Sequence, residues 1–165
     1  MYNNVINSLD ILELYGIKKK LSTSLDEFNN SNLSFLEELN ILLEEEKSYR
    51  ENEKAQNNIK IAHFPFQKTI NDFDFDYQPN INKKLIQDLT TLRFIDEKKN
   101  VIFVGTSGVG KTHLATALGI EAAKKRNSVY FISCHDLINN LLTAYKENKV
   151  ERRIKNYLKY KLLII

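Results

Sequence analysis

The 165-residue chain carries 24 Lys+Arg against 21 Asp+Glu, a formal net charge of +3, with one Cys, five Gly, two Pro and no Trp. Its 42% hydrophobic and 27% charged content exclude wholesale disorder and suit one domain, or a small domain plus part of another. One cysteine excludes an internal disulfide, no His/Cys cluster has zinc-ligand spacing, and no apolar run approaches the ~20 residues of a membrane span, so a cytoplasmic protein with no membrane partner is expected.

Charge is uneven. Residues 1–66 hold 7 basic and 11 acidic side chains, whereas residues 67–165 hold 17 basic and 10 acidic. A basic half of this kind suits a polyanionic partner, and an ordinary solvated surface is the alternative.

In chain order, Val5, Ile6, Leu9, Leu12, Ile17 and Leu21 approximate one helical stripe. The Ser-, Asn- and Asp-rich run at 22–32 predicts a turn. Ser34 followed by Glu37 has capping-box spacing, and Phe35, Leu36, Leu39, Leu42 and Leu43 form an apolar face behind it. A long helix follows, expected to be buried in its first half and solvated or partner-facing in its second, with Glu46 and Arg50 as an i,i+4 pair. Between Pro65 and Pro79, Phe73, Phe75 and Tyr77 alternate with Asp72, Asp74 and Asp76, which predicts an extended linker.

Residues 84–94 read as a helix presenting Leu85, Leu89 and Leu92. The continuous apolar run Val101, Ile102, Phe103, Val104 predicts a strand buried on both faces. Residues 111–126 read as a helix, 128–132 as a strand, 136–145 and 150–160 as helices, and 162–165 as a strand, with Ser133 and Asp136 again at capping-box spacing. This alternation predicts α/β architecture with a parallel sheet.

The stretch Gly105, Thr106, Ser107, Gly108, Val109, Gly110, Lys111, Thr112 matches G-x-x-x-x-G-K-[ST] in full and holds three of the five glycines. The pattern suits a P-loop. Side-chain-free positions let backbone N–H groups wrap phosphates, Lys111 supplies a point charge, and the Thr112 hydroxyl can ligate Mg²⁺. The following helix presents its positive end to the same anion. ATP with Mg²⁺ is therefore the expected cofactor, and a glycine-rich strand–helix turn is the bland alternative. His113, next in sequence, is expected to pack or cap rather than act as a base. Cys134 is expected to be a small packing residue.

Asn71-Asp72-Phe73-Asp74-Phe75, the phosphate loop continuing into His113-Leu114-Ala115-Thr116, and Asp136-Leu137-Ile138-Asn139-Asn140-Leu141 together resemble the IstB-like ATPases, AAA+ helper proteins of insertion-sequence transposition related to the DnaC-type helicase loaders. The leucine-rich helices near the N-terminus are similar to that family's helical domain. The resemblance implies a helical N-terminal domain at 1–64, a linker at 65–82 and a partial P-loop NTPase domain of AAA+ type at 83–165, its sheet incomplete at the C-terminal end.

It further implies duplex DNA, contacted largely through its backbone, and a transposase as partners, and a homo-oligomer at full length. The helix pair after the second strand matches an initiator-type insertion that faces DNA. There Lys146, Lys149, Arg152, Arg153 and Lys155 are the candidate contacts, a solvated helix face being the alternative for any one of them. The family places an acidic Walker B pair after the strand read here at 162–165, then sensor and arginine-finger segments. The polypeptide as given is therefore expected to hydrolyse ATP poorly, and the strand at 101–104 to lack its usual neighbours. The Phe73 group reads as a hydrophobic clasp between domains, with packing near the adenine as the alternative that the resemblance implies. A DnaC-like helicase loader and a non-enzymatic remnant acting through its helices remain the alternative functions.

Overall fold

The structure, a computed structural model, describes residues 1–29, 32–79 and 81–165, with backbone alone at 24–29. It divides into two units, Met1–Lys54 and Ala55–Ile165. The whole is predominantly helical, with one small parallel sheet.

In the first unit, α1 (Tyr2–Ile11) and α2 (Tyr15–Asn29) replace the single stripe read from the sequence. They part at Glu13, whose left-handed backbone (φ 54°) falls in the five-residue step between Leu12 and Ile17. The turn expected at 22–32 is also corrected, since α2 runs on to Asn29; residues 30–31 lie outside the described residues. The hydroxyls there bond back into the helix. Ser22 Oγ donates to the Lys19 carbonyl at 2.8 Å, and Thr23 Oγ1 to the same carbonyl at 3.1 Å, so they do not compete with the helical ladder.

Ser34 and Glu37 form the expected box at the start of α3 (Phe35–Ile61). The Glu37 carboxylate accepts the Ser34 amide at 2.8 Å and the Ser34 hydroxyl at 2.7 Å. Burial along α3 departs from the pattern, however. Phe35, Leu36, Leu39 and Leu43 are exposed, and the buried side chain in this first half is Glu46, at 5% exposure, while Ile59 is buried near the far end. The reason is the start of α2. Gly16 lies so close to α3 that a β-carbon there would come within 2.7 Å of Tyr49 Cβ and 2.8 Å of Glu46 Cα.

In the second unit, β1 (Val129–Phe131) and β2 (Leu162–Ile164) pair in parallel, Val129 opposite Leu162 and Phe131 opposite Ile164. α7 (Cys134–Lys146) and α8 (Val150–Tyr157) make the crossover that parallel strands require. Ser133 caps α7 as expected, its hydroxyl accepting the Asp136 amide at 3.1 Å. Cys134 is exposed as the first residue of α7 rather than packed. α6 (Lys111–Lys124) lies beneath the sheet and is buried along most of its length. Its Ile120, Ala122 and Ala123 share a core with Ile59, Ala62, Leu92 and Val129.

Three expectations fail here. The apolar run at 101–104 is no strand. It has no ladder partner among the described residues, only Phe103 packs inward, and Ile102 and Val104 are 82% and 91% exposed. A strand needs a neighbour to satisfy its backbone groups, and here none lies alongside. Residues 65–82 are not extended either. A 3₁₀ turn spans Ile70–Asp72, and the Asp74 carboxylate accepts the amides of Asp76 (2.9 Å) and Tyr77 (3.0 Å), bending the chain so that Phe73 is buried and Tyr77 is exposed. Finally, the helix read at 84–94 is divided. α4 (Lys83–Thr90) and α5 (Arg93–Asp96) flank a left-handed Leu92, and Ile86 rather than Leu85 faces the core.

Among the described residues no helix is long and apolar enough to cross a membrane.

Candidate functional site

Residues 105–110 join the unpaired segment to α6, and the glycines set the path. Gly108 (φ 81°) and Gly110 (φ 88°) are left-handed, a conformation that disfavours any β-carbon. Nothing lies within 4 Å of a β-carbon built on Gly108, so that side of the loop is open. Gly110 is the N-cap of α6, and with no capping side chain there the first amides of the helix keep their capacity to bind an anion. Lys111 is half-buried and folds back along the loop. Its Nζ donates to the carbonyls of Gly105 at 3.0 Å and Thr106 at 2.6 Å. Gly105, Thr106, Ser107, Gly108 and Thr112 are exposed, while Val109 and Gly110 are half-buried. All eight sequence-derived loop residues thus lie at one end of α6.

The linker reaches this loop. A β-carbon on Gly110 would overlap the Phe73 ring. Phe73 lies edge-on to His113 (5.2 Å between centroids) and to Phe75 (4.9 Å), and Phe66 also meets His113 edge-on at 6.1 Å. His113 Nε2 stands 3.0 Å from the Thr69 carbonyl, so this nitrogen carries the proton. The Thr69 amide and hydroxyl donate to the Asp72 carboxylate at 2.7 and 2.8 Å. These two bonds hold the Asp72 carboxyl below its ordinary value, with smaller help from the charges of His113 and Lys68. The one available signal was the phenylalanine spacing in the Phe-Asp-Phe stretch, which shows that the rings are wanted but not where they go.

Among the described residues no group of three His, Cys, Asp or Glu side chains could hold a metal ion.

Residues 7–165 match the family described as IstB-like ATP binding protein. The chain belongs to that family. It is 47% identical over 164 residues to the "Insertion sequence IS232 putative ATP-binding protein" of Bacillus thuringiensis subsp. berliner, covering 99% of this chain and 66% of that one. It is 39% identical over 154 residues to the "Insertion sequence IS5376 putative ATP-binding protein" of Geobacillus stearothermophilus, covering 93% of this chain and 61% of that one. Identity to the "Insertion sequence IS21 putative ATP-binding protein" of Pseudomonas aeruginosa is 33% over 157 residues, or 95% and 59% of the two chains. The chain thus spans just under two thirds of the length of these relatives.

In this IstB-like chain the basic residues lie on the α7–α8 crossover. Lys146 ends α7, Lys149 precedes α8, and Arg152, Arg153 and Lys155 lie on α8; all are exposed. An open groove of about 700 Å³ brings Lys149, Arg152 and Lys155 together beside Tyr145 and Glu151. Lys149 pairs with Glu147 at 3.1 Å, whereas Arg152 and Lys155 form no salt bridge among the described residues. Lys146 and Arg153 do not line the groove. The crossover is anchored on β1 by Tyr130, which stacks on Tyr160 at 4.9 Å and meets Tyr157 at 5.9 Å. The Asn140 amide in turn donates to the Tyr157 hydroxyl at 3.2 Å.

Proposed function

We propose that this chain binds ATP with Mg²⁺ through Gly105, Thr106, Ser107, Gly108, Val109, Gly110, Lys111 and Thr112, and that it serves insertion-sequence transposition as a nucleotide-dependent helper. The observation that carries the proposal is the glycine-turned loop feeding an uncapped, 14-residue helix, with Lys111 already within it. An anion there receives loop and helix amides and the Lys111 ammonium, and the Thr112 hydroxyl faces the accompanying Mg²⁺. The names of the relatives, which give ATP binding and insertion sequences, support the same assignment.

The finer parts belong to this proposal. The domain carrying the loop is of AAA+ type and spans 83–165, after a helical domain at 1–64 and a linker at 65–82. The α7–α8 surface contacts the backbone of duplex DNA through Lys146, Lys149, Arg152, Arg153 and Lys155. A transposase is the protein partner, and the full-length protein is a homo-oligomer. Supporting the DNA part is the groove itself, where the Arg152 guanidinium and the Lys155 ammonium, in no salt bridge among the described residues, lie with Lys149 on one exposed face.

Isothermal titration calorimetry of the folded chain with ATP at saturating Mg²⁺ tests the core statement. Saturable heat that disappears in Lys111→Ala is expected, and the absence of heat in the unsubstituted chain refutes it.

A further inference from the structure

We infer that Phe73 is a positioning residue for the phosphate loop, holding the turn at Gly110 so that polyphosphate meets a pre-set helix terminus. The inference rests on the loop's proposed role in nucleotide binding and adds the element that fixes its geometry.

The two ends of the loop are held in different ways. Gly108 has open space on the side where a β-carbon would project, and the Gly105 end is tied by the two hydrogen bonds of Lys111. The Lys111 ammonium that makes these bonds is also the group that would meet a phosphate, so this tie is shared with any ligand. The other end is held from outside the loop. The buried Phe73 ring walls off Gly110 at the residue where loop becomes helix. One turn further, His113 meets Phe73 and Phe66 edge-on and is bonded to the Thr69 carbonyl. Lys111 and Thr112 therefore sit between two residues fixed by the linker.

The brace is itself stiff. Asp72 ties back to Thr69, and Phe75 stands against Phe73 with the Lys83 ammonium 5.3 Å above its ring. Ordering a loop on binding costs affinity, and ordering it beforehand removes that cost.

Phe73 touches loop backbone, so its effect should fall on the phosphate chain whatever base is attached. Calorimetry on the full chain at saturating Mg²⁺ would compare ATP with inorganic tripolyphosphate for the unsubstituted protein, Phe73→Leu and Phe73→Ala. Circular dichroism would establish that each variant is folded at the temperature used. We expect both variants to lose roughly tenfold or more in affinity, by the same factor for the two ligands.

A loss confined to ATP overturns the inference, because it puts the ring against the base. Unchanged affinities with a lowered unfolding midpoint also overturn it, leaving a structural role only. Gly110→Ala supplies a second readout that needs no ligand. With the ring removed, its destabilisation in urea should shrink relative to that in the unsubstituted chain; strict additivity would show that the two residues do not meet. If the unsubstituted chain binds neither ligand, the nucleotide-binding proposal falls and the inference with it. The urea cycle would then show whether the contact exists as packing alone.

Discussion

The carboxylate of Glu46 on α3 accepts the backbone amide of Gly16, at the start of α2, at 2.7 Å. It also accepts the Ile17 amide at 3.1 Å and Arg50 Nε at 2.6 Å. A helix start leaves its first amides without intrahelical partners, and here a neighbouring helix supplies the acceptor. Glu46→Ala would strand these donors and should destabilise the first unit by about 2 kcal/mol, read from urea unfolding.

The same carboxylate sets a pH dependence. Burial pushes the Glu46 carboxyl up, but hydrogen bonds from Arg50, Ile17 and Gly16, together with the Arg50 charge, outweigh it and hold the group below its ordinary 4.5. A depressed carboxyl stabilises the fold fully above the unfolded value and loses that contribution as pH falls through the folded one. The unfolding midpoint should therefore drop below pH 4.5, and drop less steeply in Glu46→Gln.

Gly119 sits where α6 meets the sheet. A β-carbon there would come within 2.6 Å of Ile164 Cδ1 and 2.7 Å of Phe64 Cε1. Gly119→Ala improves helix propensity yet should cost about 2 kcal/mol through overpacking, measured by denaturant unfolding.

Thr116 is 0% exposed on the same helix, and its hydroxyl finds no hydrogen-bond partner among the described residues. Thr116→Val keeps the shape and removes the desolvated oxygen. Thermal unfolding should show no loss of stability and a gain of up to about 1 kcal/mol.

If the α7–α8 face holds DNA as proposed, Arg152→Ala with Arg153→Ala should weaken duplex binding similarly across sequences. The slope of log K against log salt should fall by about 2, read by fluorescence anisotropy at several salt concentrations. An unchanged slope would remove these two arginines from the interface.

Much of the second unit was legible in the sequence because local chemistry decides it. The Ser133–Asp136 cap, α6, β1 and β2 follow from a capping pair, a glycine-led helix start and two short apolar runs. The phosphate loop stood out because few other folds want three glycines and a lysine at that spacing. What could not be read were outcomes that depend on distant partners. Residues 101–104 have strand composition, but a strand exists only where a neighbour pairs with it. Leu85 and Ile86 are both apolar, and which of them faces inward depends on the distant partners Phe73 and Leu114, with which Ile86 shares a core. The Phe73–Gly110 contact joins residues far apart in the chain, and alternation with aspartates pointed to an extended segment that the Asp74 turn breaks.

The Phe131 amide of β1 donates to the Ala62 carbonyl at 2.8 Å, just past the end of α3, while Ile132 donates to Ile164 at 2.9 Å. One flank of the two-stranded ribbon is thus already stoppered by a helix terminus. Any further strand, from this polypeptide or another, can enlarge it only beside Leu162–Ile164, so the ribbon has a single direction of growth.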